Sequence, residues 1–203
     1  MTAGRTLAYG LLGLPLAFAA LPIYVHVPRF YAEVAGLELA LLGAILLGTR
    51  LLDAGIDPWL GWLADRVPRP IMVALALVPF AAGFVALLNP PVDHVAFWLA
   101  GSLALTYLGF SAASVAYQAW GADVGSTSAQ RTRLTAAREG FGLVGVVLAA
   151  ALPALLASDL GEGIRRLSWV LPPLLLIAAV TTFSRVGAGQ PVHAPRQPLL
   201  PSL

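Results

Sequence analysis

The chain has no cysteine, no lysine and a single asparagine, Asn89, among its 203 residues. The missing thiols exclude disulfides, thiolate metal sites and cysteine nucleophiles. Asn89 is followed by Pro90, so no N-glycosylation sequon exists. Charge is also scarce, at 11% of positions, where a soluble domain carries roughly 25%. Too few polar side chains remain to coat a water-facing surface. All 12 basic residues are arginines, they are scattered, and with 10 acidic residues the net charge is only +2. No basic patch exists to bind a nucleic acid. What the chain has in abundance is hydrocarbon, with 59% apolar residues and a mean hydropathy of +0.83. Lipid is the solvent that this composition fits.

The few charges punctuate the sequence. Between them lie the uncharged runs Thr6–Pro28, Pro70–Val92, Val95–Ala122, Gly140–Ser158 and Leu167–Ser184. Each is long enough to cross a hydrocarbon core as a helix, which takes about 17–25 residues. A sixth run, Leu39–Ala64, has the length but contains Arg50, Asp53 and Asp57. The expectation is an all-α membrane protein, with a transmembrane domain over 1–186 and spans near 6–28, 39–64, 70–90, 95–120, 137–158 and 167–185. Apolar runs this long do not alternate every second residue, which excludes a membrane barrel. The first run also exceeds the roughly 7–15 residues of a signal-peptide core, although Ala17-Phe18-Ala19 resembles a cleavage site.

Arginine placement sets the expected orientation. With the N-terminus inside, the inner side holds Arg5, Arg66, Arg69, Arg131, Arg133, Arg138, Arg185 and Arg196, and the outer loops hold Arg29, Arg165 and Arg166. That bias follows the positive-inside rule. Both termini are therefore expected in the cytoplasm, with the protein multi-pass in the cell (inner) membrane. Residues 187–203, with Pro191, Pro195, Pro198 and Pro201, read as a flexible cytoplasmic tail.

The second run is the informative one. A charge at mid-bilayer costs about 2.5–3.5 kcal/mol even on the lenient insertion scale, so it faces a cavity or a partner. On a helix, Arg50, Asp53 and Asp57 fall within about 60° of one another. Asp53 and Asp57 are i,i+4 neighbours with Cβ atoms about 5–6 Å apart. Two carboxylates so placed repel unless a cation or a proton lies between them, and sodium, like other hard cations, prefers oxygen ligands. Arg50 and Asp53 alone would form a self-neutralising i,i+3 pair; such a pair has no need of Asp57. The expected site is thus Asp53 and Asp57 for sodium or a proton, with Arg50 in support and no other cofactor.

The segment that follows, Gly61-Trp62-Leu63-Ala64-Asp65-Arg66-Val67-Pro68-Arg69-Pro70, resembles the loop motif between the second and third helices of the major facilitator superfamily. Gly61, Asp65, Arg66 and Arg69 match that motif, while Pro68 and Pro70 depart from it. The resemblance implies a conformational latch, with Asp65 capping a helix end and the arginines binding acidic groups or last-turn carbonyls.

A narrower likeness is carried by Arg50-Leu-Leu-Asp53-Ala-Gly-Ile-Asp57-Pro58-Trp59, which is similar to the second helix of the glycoside–pentoside–hexuronide:cation symporters, the melibiose permease-like family. Tyr9-Gly10-x-x-Gly13, Phe30-Tyr31, Trp120 and Arg138 also match. The resemblance implies a cation site at Asp53 and Asp57, and solute contacts from Trp120 and Arg138. For Trp120 the alternative is an interface anchor; for Arg138 it is a charge at a helix start. Pro15 and Ala116 stand where sugar-transporting relatives carry acidic ligands, which implies a less hydroxylated solute than theirs.

That family has two six-helix halves, each of 3+3 inverted repeats, with solute bound between them. This sequence is expected to be the N-terminal half of a cation:solute symporter for a sugar or other small organic solute. Its partners would be the bilayer, the solute and a second six-helix half from the same or another chain. The alternative is a truncated or non-transporting membrane partner protein. An enzyme is not expected, since intramembrane aspartyl chemistry draws its carboxylates from different helices and here both lie on one. Gly140-x-Gly142-x-x-Gly145 matches a dinucleotide fingerprint, but it opens a membrane span with no strand before it. Close helix packing accounts for it better. His26, His94 and His193 have no metal-ligand spacing.

Overall fold

The structure is a computed structural model that describes residues 2–187. The expected tail, with His193 and Arg196, lies apart from Gly187 outside the described residues. Six helices are long and apolar enough to cross a membrane. They are α1 (Ala3–Glu33), α2 (Leu39–Ala64), α3 (Arg69–Leu87), α4 (Val95–Val124), α5 (Ser128–Leu156) and α6 (Leu160–Arg185). Among the described residues there is no strand. In lipid every backbone polar group must be satisfied within its own segment, and a helix does this.

The helices run past the expected spans where charge was taken for loop. Helix α4 continues to Val124, and α5 begins at Ser128, where the Thr127 hydroxyl accepts from the Gln130 N–H at 3.3 Å. Arg138 therefore sits inside α5, about three turns from its start, rather than at a helix end. Helix α1 extends to Glu33 and carries a π-helical segment at Pro22–His26. The turn into α2 uses Gly36 at φ +70°, a left-handed conformation that glycine adopts without strain.

Packing divides the bundle into two groups. Helix α4 packs on α2 and α3, while α1 packs on α5 and α6; α3 and α6 also touch. Pairing α1 with α4, α2 with α5 and α3 with α6 maps one group onto the other. Each three-helix repeat thus lends its first helix to the opposite group, as 3+3 inverted repeats can. The two groups are stitched at α1 and α4, where the Tyr9 hydroxyl donates to the Tyr117 carbonyl at 2.9 Å and the Tyr117 hydroxyl donates to the Tyr9 carbonyl. Thr182 of α6 donates to the Ala8 carbonyl at 2.7 Å, and Tyr31 of α1 to the Leu87 carbonyl at 2.8 Å.

Small residues let α1 and α5 approach. A Cβ on Gly145 would collide with the Leu14 carbonyl, and one on Gly13 would lie 2.7 Å from the Arg138 carbonyl oxygen. The glycine run of α5 is therefore a packing face at Gly142 and Gly145. Helices α2 and α5 are the least covered. In each, 17% of the most apolar window is buried, against 33–61% in the other four.

Candidate functional site

Asp53 is held at the junction of three helices. Its Oδ2 lies 3.1 Å from Arg50 Nη1 on α2, and its Oδ1 accepts from the Ser111 hydroxyl of α4 at 2.8 Å. The carboxylate side chain is 8% exposed, whereas Arg50 is 49% exposed. The Arg50 guanidinium donates through Nη2 to the Tyr24 hydroxyl of α1 at 2.7 Å. It also lies over the Tyr24 ring at 4.9 Å and the Tyr107 ring of α4 at 5.0 Å. Such cation–π contacts hold a planar guanidinium in place where full hydration is not available.

Asp57 is placed differently. It is exposed on α2, and among the described residues no hydrogen bond or ion pair engages its side chain. Pro58, inside the helix, lacks the N–H that would bond the Ala54 carbonyl. Among the described residues no group of three or more His, Cys, Asp or Glu gathers as a metal cage. The oxygen donors grouped here are thus the Asp53 carboxylate, the Ser111 hydroxyl and, further along α2, Asp57. They have the hard-oxygen character that sodium takes. A cation reaching Asp53 Oδ2 would have to displace Arg50.

One turn along α4 from Ser111 lies Ser114, which lines a cavity of about 170 Å³ between α1, α4 and α5. The step from Ser111 to Ser114 is about 4.5 Å along the helix axis. Gly13 and Leu16 of α1, Phe110 and Gln118 of α4, and Arg138 and Glu139 of α5 complete much of its wall. Arg138 therefore lines a cavity. Trp120 does not line it: the side chain is fully buried, stacked on Phe183 at 5.5 Å, with its indole N–H donating to the Gly187 carbonyl at 3.1 Å. That enclosed position is not that of an interface anchor either. Ala116 is fully buried and absent from the cavity wall.

The segment between α2 and α3 forms a polar junction with the end of α4. Arg69 Nε pairs with Asp123 at 3.1 Å, Nη1 donates to the Ala119 carbonyl at 2.7 Å, and Nη2 lies 3.5 Å from Asp65. Asp65 is the residue on which α2 ends. Arg66 instead folds back over the Trp62 ring at 3.6 Å and donates to the Trp62 carbonyl at 3.2 Å. Among the described residues nothing packs where a Cβ of Gly61 would point.

Sequence reasoning missed Ser111, Tyr24 and Tyr107 around Asp53, Asp123 at the junction, and Gln118, Ser114 and Glu139 in the cavity. The first three lie on other helices, out of reach of any spacing argument. Asp123 was legible only as a loop charge until α4 was seen to continue through it. A family model described as MFS/sugar transport protein matches residues 6–197.

Proposed function

The chain belongs to the major facilitator superfamily, and from that premise we propose that it is one half of a cation:solute symporter. Membership makes it a multi-pass membrane protein of the transporter kind. In the proposed reading, Asp53 and Asp57 take sodium or a proton, and a sugar or other small organic solute occupies the cavity between α1, α4 and α5. The observation that carries this reading is the joint role of α4. The Ser111 hydroxyl touches the acidic pair's buried member, and Ser114, on the next turn, faces the cavity. A cation that draws Asp53 away from Arg50 shifts the same helix that forms the solute wall. Coupling needs such a shared element, whose position both ligands bias.

A second six-helix half, from this or another chain, would cover α2 and α5. Their low burial supports this, as does Arg50, which is too costly to expose to hydrocarbon. We place both termini on the cytoplasmic side of the cell membrane by the arginine bias. The Arg69–Asp123–Asp65 junction then lies at the cytoplasmic end, where it would latch one state of the cycle. Equilibrium binding of radioactive sodium to the purified chain tests the site. Saturable binding that Asp53→Asn and Asp57→Asn each abolish is expected, together with competition by protons. Sodium binding indifferent to both substitutions would refute it.

A further inference from the structure

Most described arginines have an acceptor of their own. Arg29, Arg50, Arg69, Arg138 and Arg166 pair with carboxylates, and Arg66 and Arg131 donate to carbonyls. Arg5, Arg133 and Arg185 are exposed, and among the described residues no ion pair or hydrogen bond engages their side chains. The fold nevertheless brings these three to one end of the bundle. Thr182 of α6 donates to the Ala8 carbonyl of α1, and Arg185 and Arg5 each stand three residues from that contact. As first and last of six spans, α1 and α6 run antiparallel, so both arginines lie about 4.5 Å from it toward the same end. A Cβ on Gly187, just past α6, would lie 3.6 Å from Arg5 Nη2. Arg133 joins them from α5, which runs parallel to α1. Gly10 of α1 packs on Ala137, and Arg133 stands one turn before Ala137. We propose that Arg5, Arg133 and Arg185 form a binding site for the phosphate group of an anionic phospholipid.

Three like charges gathered from three helices call for a counter-charge. The sequence has no aspartate or glutamate before Glu33 or after Glu162. The carboxylates toward this end of the bundle, Asp65, Asp123 and Glu139, are engaged by Arg69 or Arg138. The position of the cluster selects a lipid as the anion. Arg5 directly precedes the uncharged run that opens at Thr6, and Arg185 directly follows the one that closes at Ser184. Their guanidinium groups therefore stand at the edge of the hydrocarbon, where lipid phosphates lie. Deeper along the same two helices, Leu7, Ile177 and Val180 are exposed and offer hydrocarbon to acyl chains. Guanidinium forks match phosphate oxygens, and basic pockets between transmembrane helices take such head groups. The first turn of α1 adds N–H groups that Thr2 does not cap. In the proposed orientation the site faces the cytoplasmic leaflet, whose surface is negative. Such a site needs only the membrane placement and not the coupling proposed for Asp53 and Asp57, so either can fail alone.

Native mass spectrometry of the purified full chain, released from detergent micelles, counts the lipid molecules that it retains. Dioleoylphosphatidylglycerol is the anionic probe, dioleoylphosphatidylcholine the zwitterionic control and inorganic phosphate the free-anion competitor. Phosphatidylglycerol is expected to be retained in preference to phosphatidylcholine, and excess phosphate not to displace it. Arg5→Gln, Arg133→Gln and Arg185→Gln should each weaken retention about fivefold, and the three together about a hundredfold. Arg165→Gln removes an exposed arginine, likewise unengaged among the described residues, near the opposite end of α6. It should leave retention unchanged, which separates a built site from net charge. Tryptophan emission matching that of the parent chain shows that a variant folds, and the single variants carry the test if the triple one does not. Equal retention of the two lipids, or displacement by phosphate, overturns the proposal. So does phosphatidylglycerol retention that survives the three substitutions, or that falls as far in Arg165→Gln.

Discussion

Helices α2 and α5 hold equivalent places in the two repeats and leave equal shares of their apolar windows uncovered, yet they are built for different contacts. Helix α2 gathers Arg50, Asp53 and Asp57 on one face, and buries only Asp53, under α4. Its glycines at 43, 48 and 55 meet no neighbour among the described residues where a Cβ would point. Helix α5 carries its charges as the adjacent pair Arg138–Glu139 and turns Gly142 and Gly145 into α1. One helix is therefore tied to the bundle through a carboxylate, the other through backbone-to-backbone approach. The difference teaches that the fold fixes where a helix stands, while its small and charged residues decide what it can hold.

The largest effect should come from reversing that contrast at glycine. Gly145→Leu drives a side chain into the Leu14 carbonyl and should cost several kcal/mol, beyond the usual 1–3 kcal/mol of overpacking, because backbone cannot move aside. Loss of monodisperse protein on size exclusion measures it. Gly55→Leu on α2 should leave this chain's thermal midpoint unchanged, since no neighbour among the described residues is met. A midpoint lowered as far as by Gly145→Leu would erase the distinction between the helices.

Next is the junction that ties α2's end to α4. Arg69→Ala removes a largely enclosed ion pair with Asp123 and the bond to Ala119, and should cost about 2–3 kcal/mol. Limited proteolysis of the segment between α2 and α3 should quicken; Arg66→Ala, whose hydrogen bond and ring contact among the described residues are to Trp62, should change it little. A smaller effect is expected where the two groups are stitched. Tyr9→Phe removes one of two reciprocal hydrogen bonds, and such bonds in membranes average about 0.6 kcal/mol. Thermal melting should show a shift of a degree or two, smaller than for Arg69→Ala.

The six spans were legible because charge is rare enough to mark the breaks, and Arg50–Asp53 was legible because i,i+3 spacing is local. Residues 123–136 fall outside the expected spans for a physical reason. Asp123, Arg131 and Arg133 lower the hydropathy there, but hydropathy reports solvent and not backbone conformation. The Thr127 cap and helix-forming residues carry α5 through that stretch. Glu139, inside the expected fifth span, stands on the cavity wall. Ser111 stands 58 residues from Asp53, and no pattern in one sequence joins them.

Tryptophan fluorescence of the purified chain, titrated with sodium chloride against choline chloride and with protons, tests the cation site of α2 most directly. Trp59 and Trp62 follow Asp57 and Pro58 on the same helix and report on it. The account predicts a saturable change with sodium or with protons that Asp53→Asn removes. A response that persists in Asp53→Asn, or none to either cation, would contradict it.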